Sequence, residues 1–122
     1  MTALTPSELG AHGELLAVDH LTDHGWVILA RNWRCRYGEL DVIVADVAER
    51  TVVFVEVKTR RGDGFGGLDY AVPPPKLRRL RRLAGVWLAA QQVHWEVVRL
   101  DVIRVRVLPG HPAQITHLCG VG

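Results

Sequence analysis

The stretch Thr51-Val-Val-Phe-Val-Glu-Val-Lys58, followed at once by Thr59-Arg60-Arg61, limits the fold of this chain more than any other. Its valines and phenylalanine dictate a buried strand, yet that strand carries Glu56 and Lys58 near its end. Strand side chains alternate faces, so Glu56 and Lys58 share one face, about 6–7 Å apart at roughly 3.3 Å per residue, while Val57 points the other way. A second apolar run, Gly38-Glu-Leu-Asp-Val-Ile-Val-Ala-Asp46, precedes it, separated only by Val47 to Arg50. That short spacing predicts an antiparallel hairpin.

With Asp46 opposite Thr51, Asp41 faces Glu56 and Glu39 faces Lys58 on one side. Leu40 with Val57, Val42 with Val55 and Val44 with Val53 then form the other side. A slip by one residue would bury Asp41 among valines, so the apolar face sets the parity. Two carboxylates held opposite each other repel, at a cost of a few tenths to about 1 kcal/mol in a sheet and more where water is excluded. One of them is therefore expected to resist ionisation, and a divalent cation between them removes the cost.

At 122 residues the chain is expected to form one domain spanning positions 1–122. The net charge of +2 does not mark a nucleic-acid binder, but its distribution is uneven. Lys58, Arg60, Arg61, Lys76, Arg78, Arg79, Arg81 and Arg82 fall in one segment whose only acids are Asp63 and Asp69. That excess suits a polyanion, although a solvated helix face accounts for part of it. Cys35 and Cys119 stand far apart without a CxxC, which predicts a reducing compartment and neither a disulfide framework nor a zinc knuckle. No secretory leader and no apolar run of about 18–20 residues is visible, so a soluble, cytoplasmic protein without membrane contact is expected.

Ser7 to His24 reads as a helix with Ser7 as cap, an apolar stripe of Leu9, Leu16, Ala17, Val18 and Leu21, and a stop at Gly25. Gly10 and Gly13 inside it indicate either close approach by another element or a frayed first turn with Glu14 solvated. Trp26 to Trp33 is a first strand, joined through Arg34 to Gly38 to the hairpin. Arg61-Gly-Asp-Gly-Phe-Gly-Gly-Leu68 reads as a mobile loop at the rim of a site, or as an ordinary surface loop. After Pro73-Pro-Pro75, Lys76 to Gln92 forms a long amphipathic helix with Leu77, Leu80, Ala84, Trp87 and Leu88 inward. Val97 to Val107 and Gln114 to Leu118 complete an α/β domain with a mixed sheet, in the order α-β-β-β-α-β-β.

Asp41, Glu56 and Lys58 are the groups a magnesium-dependent phosphodiesterase needs. Magnesium favours one or two carboxylates plus waters, lowers the pKa of a bound water and neutralises phosphate charge, and an ammonium two residues from a ligand can orient the attacking water. The plainer alternative is an edge-strand end with an exposed Glu39–Lys58 pair. His20 and His24, at i and i+4 of the first helix, have the spacing of a metal pair but no glutamate between them, and surface histidines are the better reading. His117 offers no pattern. Ser7 is the only serine, so a serine nucleophile has no support.

The ordered set Gly10-x-x-Gly13-Glu14, Asn32-Trp33-Arg34-Cys35-Arg36-x-Gly38-Glu39-Leu40-Asp41, Val53-Phe54-Val55-Glu56-Val57-Lys58-Thr59-Arg60 and Lys76-x-x-Arg79-Leu80 resembles the YraN-type family of bacterial proteins. That family is similar to the Holliday-junction-resolvase branch of the PD-(D/E)xK nucleases, whose restriction-endonuclease-like core is a mixed sheet flanked by helices. The resemblance implies that Asp41 and Glu56 ligate Mg2+ or Mn2+, that Val57 lends its backbone carbonyl, that Glu14 completes the site and that Lys58 serves catalysis. It implies an endonuclease acting on DNA, branched or otherwise structured, with Arg60, Arg61, Lys76, Arg79 and Arg82 on backbone phosphates, and it invites a homodimer. The competing reading is a nucleic-acid-binding or adaptor protein that keeps the fold with little or no cleavage.

Overall fold

Each of the two apolar runs becomes a strand at the middle of a five-stranded sheet. The computed structural model describes residues 4–62 and 72–122. Its elements are α1 (Pro6–Asp23), β1 (Val27–Cys35), β2 (Gly38–Asp46), β3 (Thr51–Arg61), α2 (Pro74–Ala89), β4 (Val97–Val107) and β5 (Gln114–Leu118), in the expected α-β-β-β-α-β-β order. The strands lie in the order β1-β2-β3-β4-β5. All neighbours are antiparallel except β3 and β4, which run parallel and are joined through α2 as the crossover. Most of the Gly-rich connection, positions 63–71, lies outside the described residues.

The sheet has a helix on each face. Val42, Val44, Val53, Val55, Ile103 and Val105 pack on one side with Ala17 and Leu21 of α1. Ile43, Val52, Phe54 and Leu100 pack on the other with Leu80, Leu83, Ala84 and Trp87 of α2. Phe54 meets Trp87 edge-on, with ring centroids 5.7 Å apart. Thr51 to Val55 is therefore buried on both faces, and each such valine or phenylalanine contributes about 1.5–3 kcal/mol by leaving water. That burial fixes β3, and with it the position of Glu56 and Lys58.

The hairpin register is the expected one through Asp46–Thr51, Val44–Val53 and Val42–Val55, but pairing stops there. Asp41 and Glu56 do not form the next rung. Leu40 also departs from the expected face: it joins the α2 cluster, whereas Val42 joins the α1 cluster. The reason lies in β1, where Asn32, between the residues paired with Leu40 and Val42, has φ +51°. A left-handed residue interrupts the pleat of β1 at the position facing Asp41, between Leu40 and Val42. Glu39 does not reach Lys58; its nearest cation is Arg34, at 3.5 Å.

Other boundaries shift for local reasons. The α1 cap is Thr5, not Ser7: Thr5 Oγ1 accepts from the Glu8 amide at 3.1 Å while Glu8 accepts from the Thr5 amide at 2.9 Å, with Pro6 opening the helix. Gly25, at φ +82°, ends the helical segment as expected. β1 continues through Cys35, because the hairpin turn is shorter than expected and Cys35 pairs with Gly38. α2 begins at Pro74 and ends at Ala89, and its buried stripe includes Leu83.

The two glycines of α1 serve different purposes. A Cβ on Gly13 would lie 1.9 Å from Thr59 Oγ1 and 2.8 Å from Thr59 Cβ, so the helix touches β3 there; a Cβ on Gly10 would meet nothing within 4 Å. Rotating the threonine does not clear a contact with its own Cβ. Gly13→Ala is expected to destabilise by about 1–3 kcal/mol despite the better helix propensity, whereas Gly10→Ala is expected to stabilise by up to about 1 kcal/mol. Urea unfolding of both variants checks this; equal effects would mean that α1 does not sit on Thr59.

Candidate metal centre

The absent rung opens the site. Beyond Val42–Val55 the Val57 amide donates to Asp41 Oδ2 at 2.8 Å, so a side chain takes the place of a strand carbonyl. In an extended strand the N–H and C=O of one residue point to the same side, so the Val57 carbonyl also faces the gap left by β2. A cavity of about 560 Å³ lies here, lined by Glu14 of α1, Asp41 of β2, the β3 segment from Glu56 to Arg61, and Lys76 of α2. Four elements thus deliver the predicted groups Glu14, Asp41, Glu56, Val57, Lys58, Arg60, Arg61 and Lys76 to one place.

The acids in this cavity are in excess of what the fold satisfies. Burial, and then the Glu56 charge, push the Asp41 carboxyl up to about 7, with Glu14 and Glu39 adding to the effect and the Val57 amide opposing it. Burial also raises Glu14; the Arg31 guanidinium and the Asn32 amide pull it back. Glu14 Oε1 is buried without a hydrogen-bond partner, since Arg31 Nη2 stands 3.8 Å away. An orphaned carboxylate oxygen beside a carboxyl that resists ionisation is what a hard divalent cation relieves, and the donors are all oxygens. Glu14, Asp41, Glu56 and the Val57 carbonyl fit such an ion.

The bases are distributed differently from the expectation. Lys76 is not turned outward: its Nζ lies 2.8 Å from Glu56 Oε1 and supplies the positive charge that Glu56 needs. Among the described residues, the donor group whose ligand atoms all fall within 4.8 Å of one another is Asp101, His117 and Cys119, elsewhere in the fold. The three cavity carboxylates are spread more widely, with Lys76 against one of them. Arg61 donates to the Leu4 carbonyl at the cavity rim, and Arg60 stands beside it. Arg79 and Arg82 do not line the cavity. Arg82 stacks on Tyr37, 3.8 Å from the ring centroid, and Arg79 lies by Gly38 in the same hairpin turn.

Sequence reasoning did not find the Lys76–Glu56 ion pair or the role of Asn32 as the residue that breaks the β1–β2 pleat. The first has no local signal, because Lys76 and Glu56 meet only through the crossover. The second has a faint one: asparagine is among the few side chains that tolerate the left-handed region.

The Asp41 carboxyl makes stability depend on pH. Its folded pKa lies above the roughly 3.9 of an unfolded aspartate, so the native state holds the extra proton between about pH 4 and about pH 7. Stability is complete below that window and is lost as pH rises through it, by up to about 4 kcal/mol in metal-free protein. Asp41→Asn should flatten this slope and stabilise the protein above pH 7. Urea unfolding at intervals of half a pH unit is the check, and a flat wild-type profile from pH 4 to 7 would refute the reading.

Known proteins place this architecture among its kin. A protein from Mycolicibacterium smegmatis, described as a UPF0102 protein, is 64% identical over 122 residues, covering 100% of this chain and 98% of its own. A UPF0102 protein from Mycobacterium avium is 63% identical over 121 residues, covering 99% of this chain and 94% of its own. One from Mycobacterium tuberculosis H37Rv is 62% identical over 125 residues, covering 100% and 98% respectively. Residues 13–105, which run from the Gly13–Thr59 contact through the cavity strands to β4, match the uncharacterised protein family UPF0102, and the chain belongs to that family.

Proposed function

We propose that this protein is a metal-dependent endonuclease that hydrolyses phosphodiester bonds in DNA, branched or otherwise structured, using Mg2+ or Mn2+. The observation that carries the proposal is the Asp41 carboxyl, pushed up to about 7 and fixed by the Val57 amide in a cavity shared with Glu14, Glu56 and Lys58. A structural carboxylate gains nothing from such surroundings. Perturbed carboxyls in a cleft mark functional sites more often than ordinary surface.

When bound by Glu14, Asp41, Glu56 and the Val57 carbonyl, the ion supplies Lewis acidity toward a phosphate and lowers the pKa of a water. The chain does the rest by position. Val57 holds the Asp41 carboxylate through its amide, so the ligand is oriented before substrate arrives. Lys58, on the same face of β3 as Glu56, lines the cavity, where its ammonium can neutralise charge on a phosphate oxygen. Arg60 and Arg61 follow on the rim and suit backbone phosphates, which carry no sequence information. Selectivity for DNA shape is therefore favoured over selectivity for sequence. Arg79 and Arg82, gathered at the Tyr37 turn, form a second basic point from which a duplex can be held. The proposal includes action as a homodimer in the cytoplasm, in which two such cavities cut opposite strands.

A second reading rests on the Lys76–Glu56 pair. Because Lys76 already neutralises Glu56, the fold stands without a cation at that carboxylate, as a DNA-binding or adaptor protein with little or no cleavage would require.

Cleavage of end-labelled linear, flapped and four-way-branched DNA with 5 to about 10 mM Mg2+ or Mn2+ separates the two. Wild-type protein is expected to cut and Glu56→Ala and Lys58→Ala to lose at least about a hundredfold in rate. Binding without cutting on every substrate, unchanged in Glu56→Ala, would establish the adaptor instead. In the same system, replacing Arg60 and Arg61 together by alanine is expected to lower the slope of log K against log salt by about 2, since each phosphate contact contributes roughly 0.9. An unchanged slope would remove these arginines from the interface.

A further inference from the structure

At the far end of α1 from the cavity, three histidines that the sequence scatters come together. His20 and His24 lie one turn apart on the helix, with ring centroids 4.4 Å apart. His117 of β5 reaches across to them, and its Nδ1 stands 3.2 Å from His20 Nε2. The other nitrogen of His117 is committed, because Nε2 lies 2.7 Å from Asp101 Oδ2 and donates to it. Asp101 is in turn gripped by Arg99 through Nε and Nη2, at 2.8 and 2.9 Å, and by the Gly120 amide at 3.0 Å. Burial works against its charge, yet the bonds from His117, Arg99 and Gly120 hold its carboxyl at about 2, so it is a permanent anion.

This arrangement has the form of a prepared transition-metal ligand. A histidine that binds a metal through one nitrogen almost always donates its other N–H to a carboxylate, which fixes the tautomer and raises the basicity of the ligand. His117 has that partner, and the tautomer it imposes makes Nδ1 an acceptor, which in the metal-free protein takes the proton of His20 Nε2 that a bound ion would displace. Two imidazole nitrogens on one tetrahedral zinc, each at about 2.0–2.1 Å, are separated by about 3.3 Å. The 3.2 Å hydrogen bond between the two nitrogens holds them close to that separation, so an ion replacing the shared proton requires little movement. Burial and the neighbouring histidines lower the His20 pKa, which keeps its ring in the neutral form that a metal requires.

We propose that His20 Nε2 and His117 Nδ1 form a second metal site, for a divalent transition ion of the zinc type, that ties the C-terminal half of α1 to the edge strand β5. Water fills the remaining positions. His24, whose Nδ1 is held by the His20 carbonyl at 2.8 Å, lies alongside with its Nε2 not engaged in that bond. The nearby group of Asp101, His117 and Cys119 is the less suitable site on this side of the fold. Its aspartate is already saturated, the Arg99 cation sits against it, and burial raises the Cys119 thiol above its ordinary range, which disfavours the thiolate ligand. The imidazole pair selects against magnesium and for zinc, nickel or copper, so this site and the carboxylate cavity draw on different ions.

The test is calorimetric titration of the chelator-stripped full chain with Zn2+, paired with the visible absorption of Co2+ in the same protein. One equivalent is expected to bind, to persist in excess Mg2+, and to weaken at least tenfold in His20→Ala and in His117→Asn. Circular dichroism shows whether the His117→Asn chain is folded, and His20→Ala, a change to a good helix former, carries the conclusion if it is not. Asp41→Asn and Cys119→Ser are expected to bind as the wild type does. The proposal is overturned if no saturable zinc binding occurs, if His20→Ala binds zinc unchanged, or if either Asp41→Asn or Cys119→Ser abolishes binding.

Discussion

The hydrogen bond from the Val57 amide to Asp41 Oδ2 is where this fold turns from a stable sheet into a chemically prepared one. Up to Val42–Val55 the hairpin is an ordinary ladder, and its side chains feed two apolar clusters. One residue later a carboxylate substitutes for a main-chain acceptor. The substitution satisfies the Val57 N–H, which a buried strand cannot leave unpaired, and it moves a carboxyl that resists ionisation into the space where the next rung would have been. Everything placed around that carboxyl is a response to it: Glu56 and Glu14 increase the cost of its charge, while Lys76 and Arg31 reduce the cost of the acids beside it.

The rest of the sheet can hold such a site because β3 is anchored so firmly. Its first five residues are buried between two helices, and its whole length pairs with β4 in parallel register from Thr51–Val97 to Arg61–Val107. Losing β2 as a partner after Val55 therefore does not fray β3 at Glu56 to Arg61. A strand supported on one edge and open on the other presents backbone and side chains to a ligand without moving. The parallel pairing in turn requires a crossover, and the crossover is what delivers Lys76, in the first turn of α2, to Glu56.

Much of this was legible in the sequence, and the reasons differ from residue to residue. The boundaries of β4 and β5, and the hairpin register from Asp46–Thr51 to Val42–Val55, follow from alternation and loop length, which are local. That two carboxylates near the strand ends would disturb one another's ionisation was also readable, and Asp41 is the one that resists. Where the chain departs from alternation, local reasoning fails: Leu40 lies on the α2 side because Asn32 on the neighbouring strand breaks the pleat. Contacts between distant segments leave still less trace. Lys76 read as one member of a basic helix face, and His117 as a histidine without a pattern, because Glu56 and His20 become their neighbours only when the sheet is assembled.

The same comparison explains why Lys76 and Arg82, six residues apart on one helix, serve different purposes. Lys76 is in the first turn, close enough to β3 to neutralise Glu56, whereas Arg82 is two turns further along and rests on Tyr37 of the β1–β2 hairpin. An ammonium on a flexible stem is a point charge with no fixed fork, so its pairing with Glu56 is easily rearranged. A planar guanidinium stacked on an aromatic ring is held in one orientation by both the ring face and its own rigid fork. Charge composition alone treats the two cations as equivalent. The helix that carries them separates a replaceable counter-ion at the cavity from a rigid basic platform beside it, and the difference comes from which strand each turn of α2 meets.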